Sequence, residues 1–294
     1  MVSAHPPSED KFRIILVGNP NVGKSVVFGL LTGRYVTVSN YPGTTVEVAR
    51  GEAVLGRESF EVLDTPGVNN LIPLSEEERV TRDILLEEDY ETILQVADAK
   101  NLRRTLLISL QLAEMGVPFV LDLNLMDEAQ ERGIQIDIPK LSQILGTEVI
   151  ATVATERKGL ENLIRSIPRA RTSSLQFRYD PSLEEAIRRM EPYLPEVRLS
   201  RRSLALMILA GDTSLEKWLR DRISSEAMAH LEQIRKEIAS RYAEPLGYLI
   251  NQERLFETGK ILDQVSRAEA IRMRPLSALL EKYSVHWAGG IPIL

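Results

Sequence analysis

Gly18-Asn19-Pro20-Asn21-Val22-Gly23-Lys24-Ser25 follows the apolar run Phe12–Val17 and leads into a helical run over Lys24–Leu31. The string fits the G-x-x-x-x-G-K-[ST] template, and its placement between a strand and a helix gives it a physical meaning. Glycines let successive backbone amides curl around a phosphate, and the helix start adds its positive end. Lys24 is expected to reach the β- and γ-phosphates and Ser25 to put its hydroxyl on Mg²⁺, with Val26 closing the contact segment. A glycine-rich turn with an incidental lysine would have the same letters, but not this context.

Working outward, short β-branched runs alternate with helical ones. Strands are expected at Phe12–Val17, Val46–Val54, Phe60–Leu63, Thr92–Val96, Pro118–Leu123 and Glu148–Val153. Helices are expected at Lys24–Leu31, Glu76–Glu87, Leu102–Met115, Pro139–Leu145 and Leu160–Ile167. Strands that are apolar on both faces belong in a mostly parallel sheet covered by helices on either side. The pattern predicts an α/β three-layer domain of the phosphate-loop NTPase class over residues 11–170.

After a polar linker at 171–180 the periodicity becomes helical, and strands are expected to vanish. Ser182-Leu183-Glu184-Glu185 and Thr213-Ser214-Leu215-Glu216 read as capping boxes. Leu231, Ile234, Ile238 and Tyr242 fall on one helical face. An all-α unit over 181–275 follows from this. Residues 1–10 read as a polar, disordered tail, and 276–294 as an apolar tail ending just ahead of something more hydrophobic.

The composition bounds the function. Of 294 residues, 44% are hydrophobic and 27% charged, and 36 basic against 42 acidic residues leave a net charge of −6. An acidic total gives no support to a non-specific nucleic-acid binder. With no cysteines, disulfides and metal–thiolate sites are excluded, and the three histidines are too scattered for a metal cluster. The start lacks the apolar core of a signal peptide, and Leu106–Leu123 is interrupted by Gln111, Glu114 and Asp122. No run reaches the roughly 18 apolar residues of a membrane span. A cytosolic chain is expected.

Two further motifs lie at suitable distances. Asp64-Thr65-Pro66-Gly67 ends a strand, where Asp64 can hold Mg²⁺ through water and the Gly67 amide can bond the γ-phosphate. Between it and the first loop lies Tyr41-Pro42-Gly43-Thr44-Thr45-Val46-Glu47, where Thr45, in preference to Thr44, is expected to complete the Mg²⁺ shell. Asn124-Leu125-Met126-Asp127 follows another strand. Guanine presents two adjacent donors that one carboxylate accepts, whereas adenine presents an acceptor there. Asp127 therefore selects guanine, by roughly 10⁴-fold where such bonds decide the choice. Asn124 should bond the other edge of the base and brace the phosphate loop. The final base-contacting loop is best matched by Val153-Ala154-Thr155. Leu125, where such proteins usually carry lysine, and the weak match at 153–155 point to modest affinity and fast nucleotide release.

These motifs, with Val96-Ala97-Asp98-Ala99-Lys100-Asn101-Leu102, resemble the amino-terminal region of the FeoB family of bacterial ferrous-iron transporters. The resemblance covers most of the chain. It implies a GTP-hydrolysing G domain, a helical domain that slows GDP release, and a membrane permease domain beyond it, with the soluble part on the cytoplasmic face of the bacterial inner membrane. The family usually has leucine where Thr65 stands. The resemblance further implies potassium activation, with Asn21 and backbone carbonyls holding K⁺ between the phosphates. Lys24, Asn21, Thr45 and Gly67 are then the residues expected to carry hydrolysis. Val68 stands where many GTPases have a water-orienting glutamine and has nothing to donate, so slow basal turnover is expected. Three alternatives stay open: a ribosome-assembly or RNA-binding GTPase, an ATP-using phosphate-loop enzyme, and a scaffold that binds nucleotide without turnover.

Overall fold

The protein is described by a computed structural model covering residues 12–33, 36–55 and 58–268. The expectations for 1–10 and for the tail 276–294 lie outside the described residues.

β1 (Phe12–Gly18) runs into α1 (Lys24–Thr32), and β2 (Val36–Asn40), β3 (Glu47–Leu55) and β4 (Glu58–Asp64) follow. Then come α2 (Glu76–Glu87), β5 (Thr92–Asp98), α3 (Leu102–Met115), β6 (Pro118–Asn124), α4 (Met126–Glu131) and β7 (Ile134–Ile136). α5 (Ile138–Leu145), β8 (Val149–Ala151), α6 (Leu160–Ser166) and β9 (Arg171–Thr172) complete the first part. The second part holds α7 (Pro181–Met190), α8 (Arg201–Ala210), α9 (Leu215–Arg220), α10 (Ser225–Ala239), α11 (Leu246–Val265) and β10 (Ser266–Ala268).

The main sheet has the order β2-β3-β4-β1-β5-β6-β8, with β9 pairing with the start of β6. Pairing is parallel from β4 through β8 and antiparallel at β2–β3, β3–β4 and β6–β9. Alternate residues of β1 feed opposite faces: Ile15 and Val17 join one cluster, Ile14 and Leu16 the other. That two-sided burial is why this strand reads as a continuous apolar run. α1 and α6 cover one face through Val27, Phe28 and Leu163, and α2 and α3 cover the other through Ile84, Leu85, Ile108 and Leu112. The architecture is the mostly parallel α/β sheet expected, followed by helices.

The helical part shares a core with the α2/α3 face, since Leu183, Leu204, Leu231, Ile234 and Ile238 belong to the cluster containing Ile15 and Val17. Polar links reinforce it. The buried Arg82 of α2 pairs with Asp212 and donates to Ser214 at 2.8 Å. Arg254 of α11 reaches Glu114 of α3 at 2.6 Å and the Tyr179 hydroxyl at 3.0 Å. Breaking a buried pair of this kind costs about 3–5 kcal/mol.

Several local expectations need correction. The stretch after α6 is not wholly irregular, because Arg171–Thr172 pairs with the start of β6. Strands do not vanish beyond it either, since β10 pairs antiparallel with β7 and ties the end of α11 back to the first part. Ser182 is not the N-cap of α7. Pro181 occupies the first turn, so the cap falls to Asp180, whose carboxylate accepts from Ser182 N at 2.8 Å, while Glu184 reaches back to Tyr179 N. At α9 neither Thr213 nor Ser214 caps by side chain, because Asp212 takes the Ser214 amide and hydroxyl. β2 and α4 were not expected. β2 is exposed along its length and so carries no apolar signature. α4 is too short for periodicity to register.

Candidate functional site

The phosphate loop leaves β1 at the centre of the sheet, where the chain must turn sharply to start α1. Asn21 (φ 64°) and Gly23 (φ 87°) take left-handed backbone there. Gly23 is fixed twice over, because a Cβ would also stand 2.4 Å from Asn124 Nδ2. Val26 N and Val27 N donate to Gly23 O at 3.0 Å, which starts the helix. Asn19 is buried and donates to Val68 O at 3.0 Å, while Val68 N donates to Gly18 O at 2.9 Å. The loop is thereby stitched to the segment after Asp64. Gly67 lies against it so closely that a Cβ would be 2.9 Å from Pro20 Cα. Val68 is fully buried, so its side chain is out of reach of any attacking water.

Lys24 and Asp64 form an ion pair, and the lysine also donates to Thr65 O. Ser25 Oγ donates to Asp64 Oδ2 at 3.1 Å. An ammonium and two hard oxygens thus meet at the ends of β4 and the phosphate loop. Pro66 O accepts from Thr81 of α2 at 3.5 Å, and the Thr65 hydroxyl turns inward to Leu16 O.

The segment Tyr41–Val46 is the tip of the β2–β3 hairpin, closed by Tyr41 N donating to Val46 O at 2.8 Å. Here the two threonines differ. The Thr44 hydroxyl donates to Tyr41 O and accepts from Val46 N, so it is consumed by the turn. Thr45 is exposed, and its hydroxyl makes no hydrogen bond among the described residues. Gly43 (φ 74°) sits in open space and Glu47 begins β3. No hydrogen bond joins this tip to the phosphate loop among the described residues. Tyr41 is half-buried, and burial with the nearby carboxylates of Glu87, Asp83 and Glu88 pushes its phenol up to about 12.

Asn124, at the end of β6 and 1% exposed, is the hub. Its Nδ2 donates to Val22 O at 3.0 Å in the phosphate loop, and its Oδ1 accepts from Ala154 N at 3.0 Å in the loop after β8. One carboxamide therefore joins three segments read separately from the sequence. Leu125 follows at φ 61°, a strained setting for a branched side chain, and starts α4, which carries Met126 and Asp127. Asp127 Oδ1 is buried and has no hydrogen-bond partner among the described residues. An orphan carboxylate oxygen is costly unless something donates to it. Val153 and Thr155 flank Ala154, and a bridge between Val153 and Lys158 closes the loop.

The chain matches the model of the ferrous iron transport protein B family over residues 12–167 and the FeoB cytosolic helical domain over 179–267. The chain belongs to the FeoB family. It comprises the N-terminal G domain and the cytosolic helical domain. It is 40% identical over 157 residues to the Fe(2+) transporter FeoB of Campylobacter jejuni, covering 53% of this chain and 26% of that protein. It is 30% identical to a Porphyromonas gingivalis Fe(2+) transport protein A/FeoB fusion, covering 98% of this chain and 36% of that one. The chain thus spans little more than a third of such relatives at most. Among solved structures, a GDP-bound S. thermophilus NFeoB variant superposes with TM-score 0.76 at 32% identity, covering 87% of this chain and all of that one. The cytosolic domain of L. pneumophila FeoB gives 0.77 at 29%, covering 87% and 99%. Among the described residues no helix is long and apolar enough to cross a membrane.

Sequence reasoning missed one carboxylate in this FeoB G domain. Glu78 of α2 accepts from Asn69 N and Asn70 N, both at 3.1 Å, and from Leu74 N at 2.9 Å. It holds the loop following Gly67 onto the helix that carries Arg82 to Asp212. In the sequence it was one of three glutamates in a first turn, which only signalled a helix start. A cleft of about 570 Å³ opens there between Gly67, Asn69, Asn70, Glu78 and Asn251 of α11.

Proposed function

We propose that this chain hydrolyses GTP to GDP and phosphate slowly, with Mg²⁺ and stimulation by K⁺, as the regulatory part of a ferrous-iron transporter. The observation that carries the reading is the Asn124 junction. A single side chain braces a phosphate loop and the 153–155 loop, with the orphan Asp127 oxygen three residues along the same turn. That is the layout needed to hold a triphosphate at one end and a purine with two adjacent donors at the other. GDP in the S. thermophilus structure supports a guanine nucleotide as the ligand.

In this reading the backbone of residues 18–25 and the Lys24 ammonium take the phosphates, with Val26 at the end of the contact. Ser25, Thr45 and, through water, Asp64 would hold Mg²⁺. Their donor set is all hard oxygen, which suits that ion, and the free Thr45 hydroxyl favours it over Thr44. The Asn21 carboxamide, exposed at its left-handed turn, offers an oxygen suited to K⁺. The two cations would supply the positive charge that an arginine finger provides elsewhere. The amide of Gly67, pressed against Pro20, would bond the γ-phosphate, and with Val68 buried the switch backbone orients the water. Loss of that bond would release the loop held by Glu78, which borders both α11 and the Arg82–Asp212 pair. Residues 11–170 would then be the GTPase unit and 181–275 the regulatory one, joined through 171–180. A membrane permease domain of the full-length protein is the partner in this proposal, placing this part at the cytoplasmic face.

The RNA-binding alternative loses support, because the paired arginines at 188–189 and 201–202 are matched with acids. Arg188 pairs with Glu185, Arg189 with Glu237, Arg201 with Glu196 and Arg202 with Glu184. Phosphate release measured in matched K⁺ and Na⁺ buffers tests the proposal. Turnover rises in K⁺, and Asn21→Ala removes the gain. Equal rates in both salts reject the potassium role, and no phosphate release in either rejects hydrolysis.

A further inference from the structure

Asp122 lies in the middle of β6, between Val96 of β5 and Ile150 of β8, and is fully buried. Nothing in the proposed chemistry uses it. Its Oδ1 is 2.5 Å from Thr152 Oγ1, and its Oδ2 has no hydrogen-bond partner among the described residues. Thr152 Oγ1 is in turn 3.2 Å from Asn124 Oδ1. That amide oxygen is fixed as an acceptor, since Ala154 N donates to it while Asn124 Nδ2 donates to Val22 O.

The arrangement sets a counting problem. Thr152 has one hydroxyl proton and two neighbouring oxygens. If Asp122 is ionised, both neighbours are acceptors and only one contact is a hydrogen bond. If Asp122 is protonated, it donates to Thr152, Thr152 donates to Asn124, and both contacts are satisfied. We propose that Asp122 is a positioning residue: a buried neutral carboxylic acid that, through Thr152, fixes the base-reading Asn124. The inference rests on the guanine-nucleotide reading and deepens it, making the grip on the base dependent on a proton held inside the sheet.

The surroundings agree. Val96 and Ile150 flank Asp122, and the same face as Val120 is packed by apolar residues of α1 and α6, among them Val27 and Leu163. The charges on those elements lie away from Asp122: Lys24 paired with Asp64 at the start of α1, Asp98 capping the turn after β5, Glu148 ahead of β8, and Glu161 with Arg165 on the outer face of α6. Burial pushes the Asp122 carboxyl up to about 7, with only the Thr152 hydroxyl opposing it. A raised acid pKa gives a contribution to stability that is complete below about 4 and is lost as pH rises through about 7.

The test follows release of a fluorescent GDP analogue from wild type, Asp122→Asn and Thr152→Val between pH 6 and 8.5. Wild-type release accelerates roughly fivefold across that range, the worth of one neutral hydrogen bond. Asp122→Asn keeps a donor toward Thr152, so it stays slow throughout and reports any pH effect of the nucleotide itself. Thr152→Val is fast at every pH. Matching profiles for wild type and Asp122→Asn would overturn the proposal while leaving nucleotide binding intact. Failure of all three folded proteins to bind the analogue would instead overturn the guanine reading beneath it. Nucleotide-free melting gives an independent check, with wild type losing stability relative to Asp122→Asn from pH 4 to 7. Parallel curves would count against a buried proton.

Discussion

Lys24→Ala lowers GTP turnover by roughly 10²–10³-fold, the scale on which single preorganised charges act on a transferring phosphoryl group. Lys24 is the cation nearest Asp64 and Ser25, at the junction of β4 with the phosphate loop. Its side chain is largely buried and already held by Asp64 and Thr65 O, so little freedom is lost when it meets a phosphate oxygen. The same substitution leaves Asp64 facing Ser25 without its ammonium, so a modest fall in the melting temperature of the free protein accompanies it. Single-turnover phosphate release, with circular dichroism to confirm folding, measures both. A folded Lys24→Ala protein that turns over within a factor of three of wild type would remove the lysine from the mechanism.

Gly23→Ala abolishes tight nucleotide binding and costs the free protein about 2–5 kcal/mol, from left-handed backbone plus overpacking. Two independent penalties coincide at this residue. Its φ of 87° disfavours any Cβ, and the added carbon would stand 2.4 Å from Asn124 Nδ2. Relief requires moving Asn124, which breaks its bonds to Val22 and Ala154 and so disturbs both ends of the site. Gly29→Ala, within the helix that Gly23 caps, is the control. A Cβ there meets nothing within 4 Å, so that change stabilises by about 0.5–1 kcal/mol. Urea titrations of both variants with nucleotide binding alongside check the contrast. Similar stability and affinity for the two would show that the Gly23–Asn124 contact is not what shapes the loop.

The legible parts of this molecule are those where chemistry is local. The strand–loop–helix setting of residues 12–31, the apolar strands and the 124–127 turn could be read because backbone periodicity and short motifs carry them. Even the weak match at 153–155 led to the loop whose Ala154 amide meets Asn124. What could not be read depends on pairing at a distance. Pro118–Leu123 looked like a plain apolar strand despite Asp122, and its partner Thr152 lies 30 residues away, brought in only by the parallel β6–β8 register. Glu78 looked like an ordinary first-turn glutamate until the chain after Gly67 folded onto it. The misread cap of α7 had a local cause, since Pro181 makes Asp180 the last residue free to cap. β2 has no buried face at all, so it left no pattern to find.

Equilibrium titration with GDP and with ADP, on wild type and Asp127→Ala, reaches the centre of the account most directly. Wild type should take GDP and discriminate against ADP by roughly 10⁴-fold, and Asp127→Ala should lose most of that preference while remaining folded. Comparable affinity for the two nucleotides in wild type, or discrimination that survives Asp127→Ala, would contradict it.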